Sequence, residues 1–181
     1  MAGEIRSLLV LGGARSGKSR YAQSLAEQSG KTCVLIATAE AGDAEMAKRI
    51  ALHKAERGPA WRTLEAPLAL AEALAQVAAP QTIVLVDCLT LWLSNLMLAG
   101  RDAAAETQHL AEVIPALAGH AIFVSNEVGA GIVPENRLAR EFRDAQGRLN
   151  QRVAAACESV VLVAAGLPLT LKPGQHIAPK L

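Results

Sequence analysis

The stretch LLVLGGARSGKSRYAQSLAE, residues 8–27, limits the possible folds more than any other part of this chain. An apolar run breaks at Gly12, four residues follow, and then come Gly17, Lys18 and Ser19. That is the spacing G-x-x-x-x-G-K-[ST], with a strand pattern before it and a helical pattern after it. Each residue type has a physical reason. Glycine lets the backbone turn tightly and aim its N–H groups at phosphate oxygens, and the start of the helix adds a positive dipole end. A lysine at position 18 can reach the β- and γ-phosphates of a nucleotide, and a serine at position 19 can ligate Mg²⁺.

Such a loop needs a sheet behind it, and the pattern of the chain supplies one. Short apolar runs rich in β-branched residues begin at Ser7, Thr32, Thr82, Ala121 and Ser159 and read as buried strands. Helical patterns lie between them: Lys18 to Ser29, Asp43 to Arg57, Leu68 to Ala78, Leu89 to Leu98, Ala103 to Leu117 and Asn136 to Cys157. This alternation predicts an α/β fold, a P-loop NTPase-like (RecA-like) mostly parallel sheet with helices on both faces. The last run, LVAAGLPLTLK, leaves room only for a hairpin, so one antiparallel edge strand is expected at the C-terminus. No linker or repeat interrupts the 181 residues, which are expected to form a single nucleotide-binding domain.

Composition narrows the partners. The formal net charge is +1 and aromatic residues make up 3% of the chain. With neither a cationic groove nor a stacking platform, no nucleic-acid binding is expected, and small molecules are the expected partners. No apolar stretch approaches the roughly 18 residues of a membrane span, and MAGEIRS is too charged to begin a secretory signal. Cys33, Cys88 and Cys157 are widely spaced without C-x-x-C pairing and read as buried thiols in a reducing compartment, so a cytoplasmic location is expected.

In folds of this kind a second strand ends in an acid that supports magnesium, and TIVLVD ends in Asp87. The same position would also suit a helix cap. A phosphate loop does not by itself separate a kinase from an ATP-driven switch. A second feature bears on that choice: in RIALHKAERG, helical spacing puts Arg49, His53 and Arg57 on one face. His53 is either a packed or solvated histidine, or a neutral imidazole kept unprotonated by its cationic neighbours and suited to attack a phosphate. The second role would imply a covalent step that a simple kinase does not need.

Three segments together, GGARSGKSRYAQSLAE, RIALHKAERGPAWRTLE and VSNEVGAGIVPENRLAREFRDAQGRLNQRVAA, resemble the bifunctional adenosylcobinamide kinase/adenosylcobinamide-phosphate guanylyltransferase family of cobalamin biosynthesis. The resemblance runs nearly from end to end. It implies phosphorylation of the aminopropanol hydroxyl of the corrinoid adenosylcobinamide with ATP or GTP, then transfer of GMP from GTP onto that phosphate. The second step would pass through a guanylylated histidine. The family pattern R-I-x-x-H-[KR] is matched by Arg49, Ile50, His53 and Lys54, which makes His53 the nucleophile, beside Lys18 as the second catalytic residue.

The resemblance also implies nucleotide contacts at Gly12, Gly13, Ala14, Arg15, Ser16, Gly17, Lys18 and Ser19, and at Ala37, Thr38 and Ala39. Further contacts are implied at Lys54, Ala55, Glu56 and Arg57, at Glu65 and at Asp87, with Ser19 and Asp87 on the magnesium. A homo-oligomer, a trimer, is implied as well. Asn126 and Glu127 end a strand where ligands of open α/β sheets bind, and they could orient the substrate hydroxyl or the γ-phosphate; Asn126 could equally cap a helix. Arg137, Arg140, Arg143, Arg148 and Arg152, interspersed with Glu141 and Asp144, form either a solvated, ion-paired face or a surface for the corrinoid or another subunit.

Overall fold

In the computed structural model, residues 5–39 and 61–174 are described. The predicted helix from Asp43 to Arg57, and with it Arg49, His53, Lys54, Ala55, Glu56 and Arg57, lies outside the described residues. The described elements are β1 (Ser7–Gly12), α1 (Lys18–Gln28), β2 (Thr32–Ala37), β3 (Arg62–Glu65), α2 (Leu70–Val77), β4 (Thr82–Asp87), α3 (Leu89–Leu98) and α4 (Ala103–Val113). They continue with a 3₁₀ turn (Ile114–Ala116), β5 (His120–Asn126), α5 (Arg137–Ala156), β6 (Ser159–Ala164) and β7 (Leu167–Lys172).

The strands form one sheet in the order β3-β2-β4-β5-β1-β6-β7, parallel except for β7, which pairs antiparallel with β6. The antiparallel edge strand is where the sequence put it. The other edge differs: β3 was not read from the sequence, because Arg62–Glu65 is four residues long, largely exposed, and has one apolar side chain, Leu64. A strand so short carries no alternation that could be recognised. Helix ends also moved by a few residues, most at α4, where Pro115 tightens the last turn into the 3₁₀ segment.

Alternate strand residues feed two apolar layers. Leu9, Val34, Ile36, Val84, Val86 and Phe123 meet Leu70 and Leu74 of α2, Trp92 and Leu93 of α3, Leu110 of α4, and Leu149 and Val153 of α5. On the opposite face Val10, Leu35, Leu85, Ile122, Val124 and Val161 meet Ala22 and Ala26 of α1. A strand buried on both sides reads as a continuous apolar run, which is why these strands were legible. Because all the parallel strands run the same way, their carboxyl ends share one edge of the sheet.

Candidate active site

That edge gathers most of the residues singled out from the sequence. Glu65 is in register with Ala37 and Ala37 with Asp87, while Gly12 is in register with Asn126. The Glu127 N–H donates to the Gly12 carbonyl at 3.1 Å, which ties the end of β5 to the start of the phosphate loop.

The loop between β1 and α1 is an open turn with its backbone toward solvent. Gly13, Ala14, Arg15 and Gly17 are exposed, and Lys18 and Ser19 are half-buried. Gly17 precedes the helix at φ 93°, a left-handed conformation that a side chain disfavours. Gly12 is required for space: a Cβ there would lie 2.7 Å from the Val163 carbonyl oxygen and would overlap the Ser16 hydroxyl. The Ser16 Oγ is buried and has no partner among the described residues, so a hydroxyl is left for a ligand oxygen at the point where the motif expects phosphate.

Lys18 donates from Nζ to the Gly13 carbonyl at 3.1 Å, folding its ammonium back over the loop. Burial lowers its pKa from the usual value, while Cys88 and Asp87 act in the opposite direction. The charge of Asp87 thus acts on Lys18, the cation expected at a transferring phosphate. Among the described residues no group of three His, Cys, Asp or Glu side chains could hold a metal by itself. Ser19 and Asp87 nonetheless fit a Mg²⁺ that takes its remaining ligands from phosphate oxygens and water, as that ion commonly does.

Asp87 does not cap α3. The cap position is Cys88, in extended conformation and without a side-chain cap bond, and the Asp87–Cys88 peptide is cis. Cys88 is held from the neighbouring strand: the Thr38 Oγ1 donates to its carbonyl at 2.7 Å and accepts from its N–H at 2.9 Å. Thr38 is fully buried, and its own carbonyl accepts from Asn95 Nδ2 at 2.7 Å. Its hydroxyl therefore binds the ends of β2 and β4 together, and the half-buried Ala37 and Ala39 flank it at the edge. Glu65 is exposed at the end of β3.

Asn126 does not cap a helix either; Asn136 does, accepting from the Ala139 N–H at 2.7 Å. The Asn126 N–H donates to Thr90 Oγ1 at 2.9 Å and its carbonyl accepts from Asn150 Nδ2 at 3.0 Å. Beneath it, Gln146 Nε2 donates to Ser125 Oγ at 2.9 Å, and that hydroxyl donates to Asn150 Oδ1 at 2.7 Å. This buried network fixes the backbone at the end of β5. The sequence reading missed it, although Gln146 and Asn150, four residues apart on the apolar stripe of α5, are its visible signal. The Asn126 Oδ1 is buried without a partner among the described residues, a second acceptor at the carboxyl edge left for a ligand.

The arginine-rich side of α5 is a solvated, ion-paired face in its first half. Arg137 Nε donates to Glu141 at 2.6 Å with Arg137 85% exposed, Arg143 lies 3.6 Å from Asp144, and Arg140 donates to the Pro134 and Glu135 carbonyls. Among the described residues no helix is long and apolar enough to cross a membrane.

Residues 8–171 match the family model described as cobinamide kinase / cobinamide phosphate guanyltransferase. The chain is 51% identical to the bifunctional adenosylcobalamin biosynthesis protein CobP of Pseudomonas aeruginosa, across 91% of this chain and 96% of that protein. It is 42% identical to the bifunctional adenosylcobalamin biosynthesis protein CobU of Salmonella typhimurium, across 91% and 99% respectively. Among solved structures, one from the Pyrococcus horikoshii OT3 project PH0250 superposes with a TM-score of 0.54 at 12% identity, covering 99% of this chain and 93% of its own. The P4 protein of bacteriophage phi6 in complex with ADP superposes at 0.50 and 16% identity, covering 91% and 52%. These two likenesses concern the fold.

Proposed function

Because the chain belongs to the cobinamide kinase / cobinamide phosphate guanyltransferase family, we propose that the carboxyl edge of its sheet serves both of the family's reactions in turn. The protein is a bifunctional transferase of cobalamin biosynthesis. It phosphorylates adenosylcobinamide with a nucleoside triphosphate and then transfers GMP from GTP to the phosphate it has made.

In the first reaction the loop from Gly12 to Ser19 holds the triphosphate through its backbone N–H groups. The corrinoid hydroxyl attacks the γ-phosphorus, the bond to the bridging oxygen breaks, and the nucleoside diphosphate leaves. Lys18 offsets the charge that builds on the equatorial and bridging oxygens, and Asn126 Oδ1 accepts a hydrogen bond that orients the acceptor. Glu127, exposed at the same edge, takes the hydroxyl proton. Ser19 and Asp87 would hold Mg²⁺, which supplies electrostatic stabilisation of the phosphate oxygens when bound. The phosphate loop opening at the carboxyl edge where β4 ends in Asp87, with the Ser16 Oγ buried in it and unpartnered among the described residues, is the observation that carries this half of the reading.

In the second reaction a neutral His53 nitrogen attacks the α-phosphorus of GTP and pyrophosphate leaves, which gives a phosphoramidate. The corrinoid phosphate oxygen then attacks the same phosphorus, the N–P bond breaks, and His53 recovers its electron pair. Support for His53 comes from the sequence, where Arg49, Ile50 and Lys54 surround it in the family's pattern. The remaining proposed nucleotide contacts are Ala37, Thr38, Ala39, Lys54, Ala55, Glu56, Arg57 and Glu65, with Thr38 contributing through its backbone because its hydroxyl is engaged. A cytoplasmic, homo-oligomeric enzyme, a trimer, completes the proposal.

Incubation with GTP labelled at the α-phosphate tests the guanylyl step. Wild type is expected to acquire acid-labile, base-stable label, and His53→Ala is expected to acquire none. An unlabelled wild type, or a variant labelled as strongly, would sink the covalent route.

A further inference from the structure

Beside the nucleotide loop, between α5 and the C-terminal part of β7, lies a cleft of about 780 Å³. Its walls are mainly apolar, with Leu11 and Val160 below, Ala154 on the helix, and Leu171 and Pro173 on the strand side. Two of its polar residues are committed within the protein: Asn150 to Ser125 and Asn126, and Lys172 to the carbonyls of Ala154, Ala155 and Cys157 that end α5. What remains is an apolar trough with Gln151 and Glu127 at its margins. A volume of this size is in the range of small-molecule sites.

The cleft also contains a residue that internal packing does not explain. Gly147 lies in the middle of the 20-residue helix α5, where alanine is ordinarily favoured because glycine gives up more backbone entropy. Its φ is not left-handed, and a Cβ built there meets nothing within 4 Å among the described residues. Among the described residues no neighbouring element requires the glycine, yet Gly147 lines the cleft and keeps the helix surface open to whatever enters.

We propose that this cleft seats the corrin ring edge of the substrate against Gly147, with the hydroxyl arm directed along it to Glu127. The proposal rests on the corrinoid-kinase reading above. Three observations select this occupant. The cleft is continuous with the nucleotide site, since Leu11 precedes Gly12 and the Glu127 N–H is bonded to the Gly12 carbonyl at 3.1 Å. Its apolar walls suit the hydrocarbon edge of a flat macrocycle, and Gln151 at the rim suits the amide arms that fringe it. Gly147 supplies the close approach to backbone that a broad, rigid ring needs and a slender side chain does not.

The test uses the full-length enzyme with adenosylcobinamide. Gly147→Leu and Ala154→Phe, which fill the cleft from two points on α5, are expected to raise the KM for adenosylcobinamide at least tenfold. They should leave the KM for ATP and the self-guanylylation by GTP within about twofold of wild type. Gly147→Ala is expected to raise Tm while weakening corrinoid binding by a smaller factor. If the two filling variants fold and use adenosylcobinamide as wild type does, the proposal is overturned. It is also overturned if Gly147→Ala lowers Tm, since the glycine would then serve packing, or if the variants change only the sedimentation of the protein, since the cleft would then face another chain. A wild type that turns over no adenosylcobinamide at all would count against the enzymatic reading rather than against the location of this site.

Discussion

Lys18 and Thr38 lie within the same small region, and their substitution should have opposite consequences. Lys18 contributes charge to a reacting phosphate, while within the protein its ammonium donates to the Gly13 carbonyl. Lys18→Ala is therefore expected to lower kinase kcat/KM by about 10²- to 10³-fold, in a steady-state assay, with little change in unfolding free energy. Thr38 is different. Its hydroxyl satisfies the N–H of Cys88 in the interior and donates to the Cys88 carbonyl, and valine of the same shape would leave that N–H unpaired and the carbonyl with the Trp92 N–H alone. Thr38→Val is expected to cost about 1–3 kcal/mol in urea unfolding. It should also weaken catalysis by loosening Asp87 on the adjoining peptide. The motif made Lys18 legible from the chain alone. The work of Thr38 was not, because its partner is 50 residues away in sequence.

Among the elements, the hairpin that closes the sheet bears most directly on the nucleotide loop. Ala164 pairs with Leu167, so the turn is Ala165–Gly166, and both residues have positive φ, 51° and 80°. A two-residue turn of that hand matches the twist of the strands it joins. The Gly166 N–H donates to the Ser16 carbonyl at 2.8 Å, so the turn braces the loop that receives phosphate. Gly166→Val puts a β-branched residue at a left-handed position and should draw this N–H away. A loss of nucleotide affinity of about tenfold is expected by calorimetric titration with ATP, with partial recovery in Gly166→Asn, which tolerates that conformation better. The hairpin was visible in LVAAGLPLTLK, but not its contact with the loop, since a turn signal says how a chain reverses and not what it reverses against. At the opposite edge β3 was invisible for the converse reason: Arg62–Glu65 is held by pairing with β2 and has almost no pattern of its own.

For the whole molecule, the three free cysteines are buried, and two of them make stability depend on alkaline pH. Burial, reinforced by Asp87, pushes the Cys88 thiol up to about 11, and burial pushes Cys157 up to about 12, from an ordinary 9.0. The unfolded chain releases these protons from about pH 9, so the unfolded state then binds fewer protons than the folded one and stability falls as pH rises. The contribution is complete below pH 9 and is lost on the way to pH 11–12. Each thiol accounts for roughly 1 kcal/mol by pH 10. Urea midpoints measured from pH 8 to 10.5 should decline above pH 9, and Cys157→Ala should make the decline shallower; a flat profile would contradict the assignment. By itself the sequence determined the parallel α/β sheet, the antiparallel C-terminal strand, the phosphate loop and the acid of β4. Each of these is written in contiguous residues, as periodicity or as a motif whose members must be neighbours to work. Only the tertiary structure decided that the Thr38 hydroxyl ties the end of β2 to Cys88, that a buried Ser125–Gln146–Asn150 network fixes the end of β5, and that α5 and β7 leave a cleft over Gly147. The reason is physical: these depend on contacts between residues far apart in the chain, and such contacts are selected by packing and hydrogen-bond satisfaction across the whole fold, of which a local stretch of sequence carries no record.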